Sequence, residues 1–335
     1  MITIKDIAKR AGLSIAAVSY ALNGKEGVSE ETKQKVRDIA AEMGYIPNLL
    51  AKGLISKRTD ILGLITPDVS NPYTANFIKY LDMYARESGY FLLLGSLTRD
   101  QENEAEVFEA LIAKHVDGFI ITPASDHETT YQEIAAALNK AGKPFLFVNV
   151  AFPGIKASYV VPDLEEGEYQ LTLYLLQEGF KDFVFCGAKR TNYYADIRYR
   201  GFLRALREFG FNHDAAKYVV CGDAVGFAEG YQAVKEFGKK FRFPEVIIAQ
   251  NDMMAYGIIK GLREYGLSVP RDIGVAGFDD LELPSFDTVP LTTVRIPVAA
   301  MAEQCIDIMN ESNHNKMIRQ LILPTEVVIR ESVKR

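Results

Sequence analysis

Apolar residues recur at helical spacing through the first 45 positions. Ile4, Ile7, Ala8 and Ala11 lie at i, i+3, i+4 and i+7, which is one face of a 3.6-residue period. The same spacing predicts two further helices, whose apolar faces are Val18, Ala21 and Leu22, and then Val36, Ile39, Ala40 and Met43. The expected N-caps are Thr3, Ser14 and Ser29, and the helices should end at Gly12, Asn23-Gly24 and Gly44. The pattern predicts three short helices.

The turn Gly12-Leu13-Ser14 between the first two helices is short enough for a helix-turn-helix arrangement. In that arrangement the second helix enters the major groove of DNA, where each base pair displays a distinct pattern. The outward face of the predicted second helix consists of Ile15, Ala16, Ser19 and Tyr20. The pattern favours DNA binding, while a plain three-helix bundle that binds a protein or no partner remains open.

From Ile61 onward, short apolar runs alternate with amphipathic stretches. The predicted strands are Ile61–Ile65, Phe91–Leu94, Gly118–Ile121, Phe145–Val148, Ser158–Val161, Phe183–Cys186, Lys217–Val220, Val246–Ala249 and Ile273–Phe278. The predicted helices are Asn76–Ser88, Asn103–Lys114, Thr130–Lys140, Glu165–Glu178, Ile197–Phe209, Gly226–Phe237, Met253–Tyr265 and Val298–Asn310. Nearly uniform apolar runs indicate strands that are covered on both faces, as in parallel sheets. The alternation, with a break near residues 160–163, predicts two doubly wound α/β lobes behind an all-α head.

Polar residues follow four of the predicted strands. They are Asp68 to Tyr73, Arg190 to Arg198, Asn251-Asp252 and Asp279-Asp280. Open α/β sheets bind ligands beyond the carboxyl ends of their strands, so these segments are expected to converge on one crevice. For any single segment a role in a turn or a helix cap is the alternative, because Asn and Asp are favoured there for backbone reasons.

Charge and composition restrict the classes of function. Residues 1–60 carry 10 Lys and Arg against 7 Asp and Glu, so their net charge is +3, whereas the rest of the chain has a net charge of −9. A basic head on an acidic body suits contact with phosphate at one end only. The three cysteines and four histidines have no metal-ligand spacing, and no nucleotide-binding or hydrolase motif occurs. Neither a metal nor a cofactor is therefore predicted.

Two features bear on location. No apolar run reaches the length of about 18 residues that a membrane span needs. Met1 leads directly into a polar amphipathic helix rather than a signal peptide. A cytoplasmic location without a membrane partner is therefore expected, and few, widely spaced cysteines agree with a reducing compartment.

The segment from Pro47 to Thr59 joins the head to the body. Leu50 and Leu54 lie at i and i+4, but Gly53 weakens a helix by about 1 kcal/mol relative to Ala. Such a short helix is marginal alone in water. It is either a simple linker or a segment that becomes ordered against a partner, with an apolar side chain wedged into a minor groove.

Four motifs carry a resemblance to a known family. They are TIKDIAKRAGLSIAAVSYALNG, GYIPNLLAKGL, NDMMAYGIIKGLREYGLSVPRDIGVAGFDD and PLTTVRIP. With these motifs in this order, the chain resembles the LacI/GalR (lac-repressor) family of bacterial transcription regulators over essentially its whole length. The resemblance implies a helix-turn-helix domain at 1–48, a hinge helix at 49–60 and an effector-binding core at 61–335, similar to periplasmic sugar-binding proteins. The first lobe would comprise about 61–161 and 294–324, and the second about 162–293 and 325–335.

The resemblance also implies roles for individual residues. Those matching positions that read bases are Ile15, Ala16, Tyr20 and the hinge residue Leu54. Those matching positions that hold the DNA backbone are Thr3, Ser14, Ser19, Asn23, Ser29, Thr32, Tyr45 and Asn48. Effector contacts are expected from Tyr73, Arg198, Asn251 and Asp279, with Tyr193 as a second aromatic face for a sugar. The chain departs from several relatives at Tyr20, where they carry Arg or His, and at Ala224, where many have an aromatic residue.

The resemblance therefore implies a homodimer that grips a pseudo-palindromic operator and responds to a small molecule, most simply a sugar that relieves repression. Arg198 beside Asp279 suits a polyol, since a guanidinium and a carboxylate together can hold adjacent hydroxyls. The alternatives are a sugar-binding transport receptor, a sugar-processing enzyme on the same α/β scaffold, or a core that senses a protein partner. The missing signal peptide and the DNA-reading head argue against the receptor, and no catalytic pair supports the enzyme.

Overall fold

The computed structural model describes residues 2–45, 58–97, 104–124, 127–211, 217–220, 225–240, 242–282, 289–312 and 317–334. The chain divides into two compact units, Met1–Asp60 and Ile61–Arg335. Most of the predicted hinge, including Leu54, lies outside the described residues, as do Asn48 of the head and Ala224. The residue bounds proposed for the hinge and for the two lobes stay predictions.

The first unit contains the three predicted helices. They are α1 (Ile4–Ala11), α2 (Ile15–Leu22) and α3 (Glu30–Glu42). Their apolar faces meet in a small core in which Ile7, Val18 and Val36 are fully buried. Gly12 ends α1 with a φ of 68°, in the left-handed region that glycine adopts without strain. The prediction of a compact three-helix head is confirmed.

The caps of these helices form as the sequence predicts. The Asp6 carboxylate reaches back to accept hydrogen bonds from the amide and hydroxyl of Thr3, at 2.8 and 2.7 Å. The Ser14 hydroxyl accepts from the Ala17 amide at 3.1 Å. A cap of this kind stabilises a helix by about 1 kcal/mol because it pairs an N–H that has no partner in the first turn.

The second unit alternates strands and helices. Its first half contains β1 (Ile61–Thr66), α4 (Pro72–Glu87), β2 (Phe91–Ser96), α5 (Glu104–Ala113), β3 (Gly118–Ile121), α6 (Glu128–Lys140), β4 (Phe145–Val148), β5 (Ser158–Pro162) and α7 (Leu164–Gln177). There follow β6 (Phe183–Gly187), α8 (Tyr193–Glu208), β7 (Lys217–Val220), α9 (Phe227–Lys240), β8 (Val246–Ala249), α10 (Asp252–Glu264) and β9 (Gly274–Ala276). The chain then forms β10 (Thr293–Arg295), α11 (Val298–Ser312), β11 (Gln320–Leu323), β12 (Glu326–Val328) and a 3-10 turn, Glu331–Val333.

These strands form two parallel sheets and one short ribbon. The first lobe contains a six-stranded sheet of order β11-β5-β4-β3-β1-β2, and the second lobe a four-stranded sheet of order β7-β6-β8-β9. Strands β10 and β12 pair antiparallel and form the two-stranded ribbon. The predicted doubly wound α/β class is confirmed, since β3, β6 and β8 are buried along their whole length.

Three strands were not predicted from the sequence. They are β10, β11 and β12. Each has only three or four residues, and β11 alternates exposed and half-buried positions at an edge of the first sheet. Short edge strands lack the continuous apolar run that identifies an interior strand, so their pairing depends on residues far away in the chain.

Neighbouring helices of the second lobe approach closely at glycines. A Cβ atom at Gly201 on α8 would overlap the Glu165 carbonyl oxygen on α7, and one at Gly257 on α10 would overlap the Phe227 carbonyl oxygen on α9. These glycines let the helix backbones touch. The first turns of α8 and α10 lie at the same edge of the sheet because each helix follows one of the parallel strands β6 and β8. No helix among the described residues is long and apolar enough to cross a membrane.

We expect Gly257→Ala to destabilise the second lobe by about 1–3 kcal/mol, because the added methyl group forces the backbones of α9 and α10 apart. Thermal unfolding of the purified protein measures the effect. Gly226→Ala is the matched control, since the nearest atom among the described residues is the end of the flexible Glu229 side chain. Equal melting temperatures for the two variants would show that this crossing tolerates a side chain.

Candidate functional site

A cavity of about 160 Å³ lies in the second unit, at the carboxyl ends of strands from both sheets. Its lining residues are Pro67, Asp68, Asn71, Tyr73, Thr74, Thr122, Asn149, Pro162, Leu164, Asn192, Tyr194, Arg198, Val225, Gln250, Asn251, Asp279 and Ile296. Loops after β1, β3, β4, β6, β8 and β9 all contribute, as expected for a ligand site in α/β sheets. The volume lies below the range of about 300–1,000 Å³ that is typical of drug-sized ligands, so it fits a small molecule.

Four of the five predicted effector residues line this cavity: Tyr73, Arg198, Asn251 and Asp279. Tyr193 does not belong to the lining, and its neighbour Tyr194 does. Both tyrosines lie in the first turn of α8, where successive side chains point about 100° apart. Both rings pack against the apolar core of the first lobe, but the rotation of this helix brings only Tyr194 to the cavity.

Arg198 and Asp279 form a buried ion pair at the cavity wall. One Arg198 Nη2–H donates to Asp279 Oδ1 at 3.2 Å, and both side chains are less than 10% exposed. Arg198 Nη1 also donates to the Gln250 carbonyl, and the guanidinium lies 4.0 Å from the centre of the Phe278 ring. Burial raises the pKa of Asp279 to about 6, although the charge of Arg198 opposes this shift. The pair places a donor and an acceptor side by side.

Asparagines begin three of the helices around the cavity. Asn71, Asn192 and Asn251 each accept a hydrogen bond from an amide in the first turn of α4, α8 and α10, at 2.9, 3.1 and 2.9 Å. Their side-chain oxygens are thus occupied. The Asn251 NH2 group also donates to the Val225 carbonyl at 2.8 Å, which leaves its second N–H, together with the NH2 groups of Asn71 and Asn192, as donors in the cavity wall. The sequence offered helix capping and ligand binding as alternatives for Asn251, and its side chain is compatible with both.

Tyr73 and Asn149 line the cavity from the first lobe, and a hydrogen bond joins their side chains. The Tyr73 hydroxyl donates to Asn149 Oδ1 at 2.6 Å. Asn149 follows β4 and has a φ of 69°, a left-handed conformation that Asn tolerates better than most residues. Asn149 was not predicted from the sequence, although its position directly after a buried strand is the signal that identified the other lining residues.

Two further buried carboxyl groups lie near the ion pair. Glu168 on α7 is fully buried, and burial raises its pKa to about 8, although the charge of Arg198 lowers it. Its Oε1 accepts from the Thr172 hydroxyl at 3.2 Å, while Glu168 Oε2 and Arg198 Nε have no hydrogen-bond partner among the described residues. Glu168 was missed, yet it stands at an apolar phase of α7, between Leu164 and Leu171.

Asp252, which the sequence grouped with Asn251, lies behind the cavity. Its carboxylate accepts from the Thr293 hydroxyl at 2.6 Å and the Leu281 amide at 2.8 Å. Burial raises the pKa of Asp252 to about 8, with a further contribution from Asp279. Asp252 therefore connects α10 to the loop after Asp279 and to β10, and it does not face the ligand.

In the head, the predicted outward face of α2 is open to solvent. Ile15 is 47% exposed and Tyr20 is 46% exposed, and Ala16 beside them is exposed as well. The opposite face of α2 is buried through Val18 and Ala21. A helix with one face locked in the core and the other exposed can enter a groove without unfolding the head.

The residues predicted to hold the DNA backbone surround this face. Thr3, Ser14 and Ser29 stand at the starts of α1, α2 and α3, and Thr32 contacts the Ser29 hydroxyl. The side-chain NH2 group of Asn23 donates to the Ser19 carbonyl at 2.8 Å, at the end of α2. Tyr45 packs against the core of the head, and Asn48 lies outside the described residues. These roles stay predictions.

The described residues contain no cluster of three or more side chains suited to a metal ion. The site offers hydrogen-bond donors, acceptors and aromatic faces. These are the components of a binding site for a small polar molecule rather than of a metal centre.

Comparison with known proteins covers both units. Residues 3–48 match the family described as bacterial regulatory proteins, lacI family, and residues 172–333 match a periplasmic binding protein-like domain. The chain is 32% identical to the HTH-type transcriptional regulator RegA of Clostridium saccharobutylicum over 335 residues, which cover 98% of each protein. It is 30% identical to catabolite control protein A of Priestia megaterium over 338 residues, which cover 99% of each.

The chain is also similar to solved structures. The lac repressor dimer bound to operator and the anti-inducer ONPF is 25% identical and superimposes with a TM-score of 0.86, over 99% of this chain and 98% of that one. The similarity thus extends over the head and the two-lobed core alike.

Proposed function

The chain belongs to the lacI family of bacterial regulatory proteins, and from that premise we propose that it represses transcription until a carbohydrate binds beside Arg198 and Asp279. It is a DNA-binding transcriptional regulator, not an enzyme, and it acts as a dimer on operator DNA under the control of a small-molecule effector. The proposal adds the sign of the control, the chemical class of the effector and the residues that hold it. A cytoplasmic location, where such a regulator meets DNA, is part of the same proposal.

The buried Arg198–Asp279 pair is the observation that supports a polyol effector. The pair presents a charged donor and a charged acceptor within 3.2 Å of each other, and adjacent hydroxyls of a sugar can bond to both. The side-chain NH2 groups of Asn71, Asn192 and Asn251 add donors around it. Tyr73 and Tyr194 supply aromatic walls for the apolar face of a sugar ring, so Tyr194 replaces Tyr193 in the proposed set.

We propose that Ile15, Ala16 and Tyr20 read bases from α2. Ile15 and Ala16 lack hydrogen-bonding side chains, so they can contact thymine methyl groups or sense groove shape, while the Tyr20 hydroxyl can bond to a base edge. The seven described residues assigned to the backbone fix the register of the head: Thr3, Ser14, Ser19, Asn23, Ser29, Thr32 and Tyr45. Asn48 and the hinge residue Leu54 complete the proposed contact set.

A binding-site selection on random duplex DNA tests the first half of this proposal. A pseudo-palindromic consensus with two half-sites is expected, because a dimer presents two copies of α2. A gel-shift titration on that consensus, with a panel of mono- and disaccharides, then tests the second half. A sugar that weakens operator binding supports an inducible repressor, one that strengthens it reverses the proposed sign, and no effect from any sugar contradicts a carbohydrate effector.

Tyr20→Ala is expected to weaken operator binding by about 1–3 kcal/mol, or about 5- to 150-fold, and to relax base preference at the position that Tyr20 contacts. Fluorescence anisotropy with the selected duplex measures the affinity, and a repeated selection measures the preference. Gln34→Ala, on the exposed face of α3, is the matched control in the same head. An unchanged consensus for the Tyr20 variant would remove this residue from the proposed base-reading set.

A further inference from the structure

Asp280, next to the cavity residue Asp279, joins two arginines from distant parts of the chain. Its Oδ2 accepts from Arg295 Nε at 2.7 Å, and its Oδ1 accepts from Arg330 Nη2 at 2.6 Å. The Asp280 side chain is only 11% exposed, so this pair of contacts is largely shielded from solvent. Partial burial strengthens such charge-assisted hydrogen bonds relative to ion pairs on an open surface.

One of the two arginines lies in the β10–β12 ribbon, which runs between the lobes, and the other follows the ribbon closely in the chain. Arg295 ends β10, and Arg330 lies two residues beyond β12. From β10 the chain passes into α11, which packs on α4 and β5 of the first lobe, and into β11 of the six-stranded sheet. It returns through β12 to a final turn that packs on β9 of the second lobe. Any rotation of one lobe against the other must bend or twist this ribbon.

Asp279 connects the same turn to the cavity. Its carboxylate holds Arg198, while its amide donates to the Val294 carbonyl of β10 at 2.8 Å. Asp279 and Asp280 have φ values of 115° and 54°, conformations that residues other than glycine rarely adopt. Such a backbone persists where surrounding contacts impose it. Here those contacts are Arg198 on one side and the two ribbon arginines on the other.

We propose that Asp280 is a positioning residue that couples the cavity to the ribbon, so that a change at Asp279 alters the orientation of the two lobes. The inference rests on the proposed effector site at Asp279. A ligand that moves Asp279 away from Arg198 rotates the backbone between Asp279 and Asp280. This rotation changes the hydrogen bonds that Asp280 accepts from Arg295 and Arg330. The ribbon then transmits the displacement to both lobes.

The experiment measures the distance between the lobes in the full-length protein without operator or effector. Dyes at Lys140→Cys on α6 and Lys239→Cys on α9, both exposed, report this distance by single-molecule energy transfer. Cys221→Ser removes the remaining cysteine outside the described residues, since Cys186 and Cys305 are buried. Subunit exchange with excess unlabelled protein leaves a single labelled subunit in most of the dimers that carry a label. The measured quantity is the distribution of transfer efficiency.

Asp280→Asn keeps the size of the side chain and its tolerance of a positive φ while it removes the charge. We expect a shifted or broadened distribution for this variant, the same change for Arg330→Gln, and no further change in the double variant. Asp272→Asn is the control, because Asp272 also bonds an amide and an arginine, at Ser268 and Arg271, but contacts neither the ribbon nor the cavity. Its distribution should match that of the unmodified protein.

Asp279→Asn tests the coupling from the cavity side and should change the distribution in the same direction as Asp280→Asn. A distribution for Asp280→Asn that matches the unmodified protein would overturn the proposal. If Asp280→Asn changed the distribution and Asp279→Asn did not, Asp280 would only hold the ribbon in place. That result would overturn the proposed coupling between the cavity and the ribbon. Because neither DNA nor a sugar is added, failure here is distinct from failure of the proposed carbohydrate response.

Discussion

Arg198→Met is expected to destabilise the core by about 3–5 kcal/mol and to abolish the response to effector. The substitution keeps a long, unbranched side chain but removes the guanidinium. That cation faces Asp279, and its charge lowers the pKa of Glu168. Asp279, whose pKa is about 6, would then lack its positive partner at pH 7. It must either stay charged in an apolar interior or take up a proton, and both outcomes cost free energy. Urea unfolding at pH 7 measures the change in free energy.

Arg200→Met is the matched control for this prediction, because Arg200 lies on the same helix but is about half exposed. Its ion pair with Glu165 is screened by water, so a loss of at most about 1 kcal/mol is expected. Arg198→Lys should fall between the two, since it keeps the charge but cannot reach both the Gln250 carbonyl and Asp279. If Arg198→Met and Arg200→Met were equally stable, the buried pair would have no special role in the fold.

Glu168→Gln should stabilise the protein increasingly as the pH rises from about 4.5 to about 8. In the folded protein burial raises the pKa of Glu168 to about 8, whereas the unfolded chain ionises this group near its ordinary value of 4.5. Between these two pH values the folded state binds more protons than the unfolded state. The stability of the unmodified protein therefore falls with pH, by at most about 1.4 kcal/mol per pH unit from this group.

Glutamine cannot ionise, so the variant lacks this contribution to the slope. Its advantage over the unmodified protein should be small near pH 5, grow through pH 7 and level off above pH 8. Urea unfolding at four pH values between 5 and 8.5 measures the difference, and Glu178→Gln, exposed just beyond α7, is the control. A difference between Glu168→Gln and the unmodified protein that does not vary with pH would show that Glu168 is ionised in the folded state.

The sequence predicted most of the fold because the interior strands carry their own signal. β3, β4 and β8 occupy the predicted positions, since each is an apolar run inside its sheet. The ends of the helices moved by a few residues; α8, for example, begins at Tyr193 rather than Ile197. The missing signal at β10 and β12 has a physical cause, since these short strands are held by each other and by the bonds of Arg295 and Arg330 to Asp280, which lies outside the ribbon.

The candidate site was predictable to the extent that it follows the strand ends. That rule placed four polar segments in one crevice, and the resemblance to the family selected Tyr73, Arg198, Asn251 and Asp279 within them. All four line the cavity. Tyr193 does not line the cavity, because the start and rotation of α8 decide which of two adjacent tyrosines faces it. Glu168 was not predicted because it lies in the middle of a helix, where a charged residue is ordinarily at the surface.

By itself, the amino-acid sequence determined the three-helix head, the parallel α/β class and the polar residues that end the strands. These features depend on local spacing, caps and apolar runs, which neighbouring residues set among themselves. Only the tertiary structure decided that Arg330 meets Asp280 across 50 residues and that Glu168 is buried near Arg198. Such contacts depend on how whole helices pack, and the burial they create changes the pKa of groups whose identity in the sequence is unremarkable.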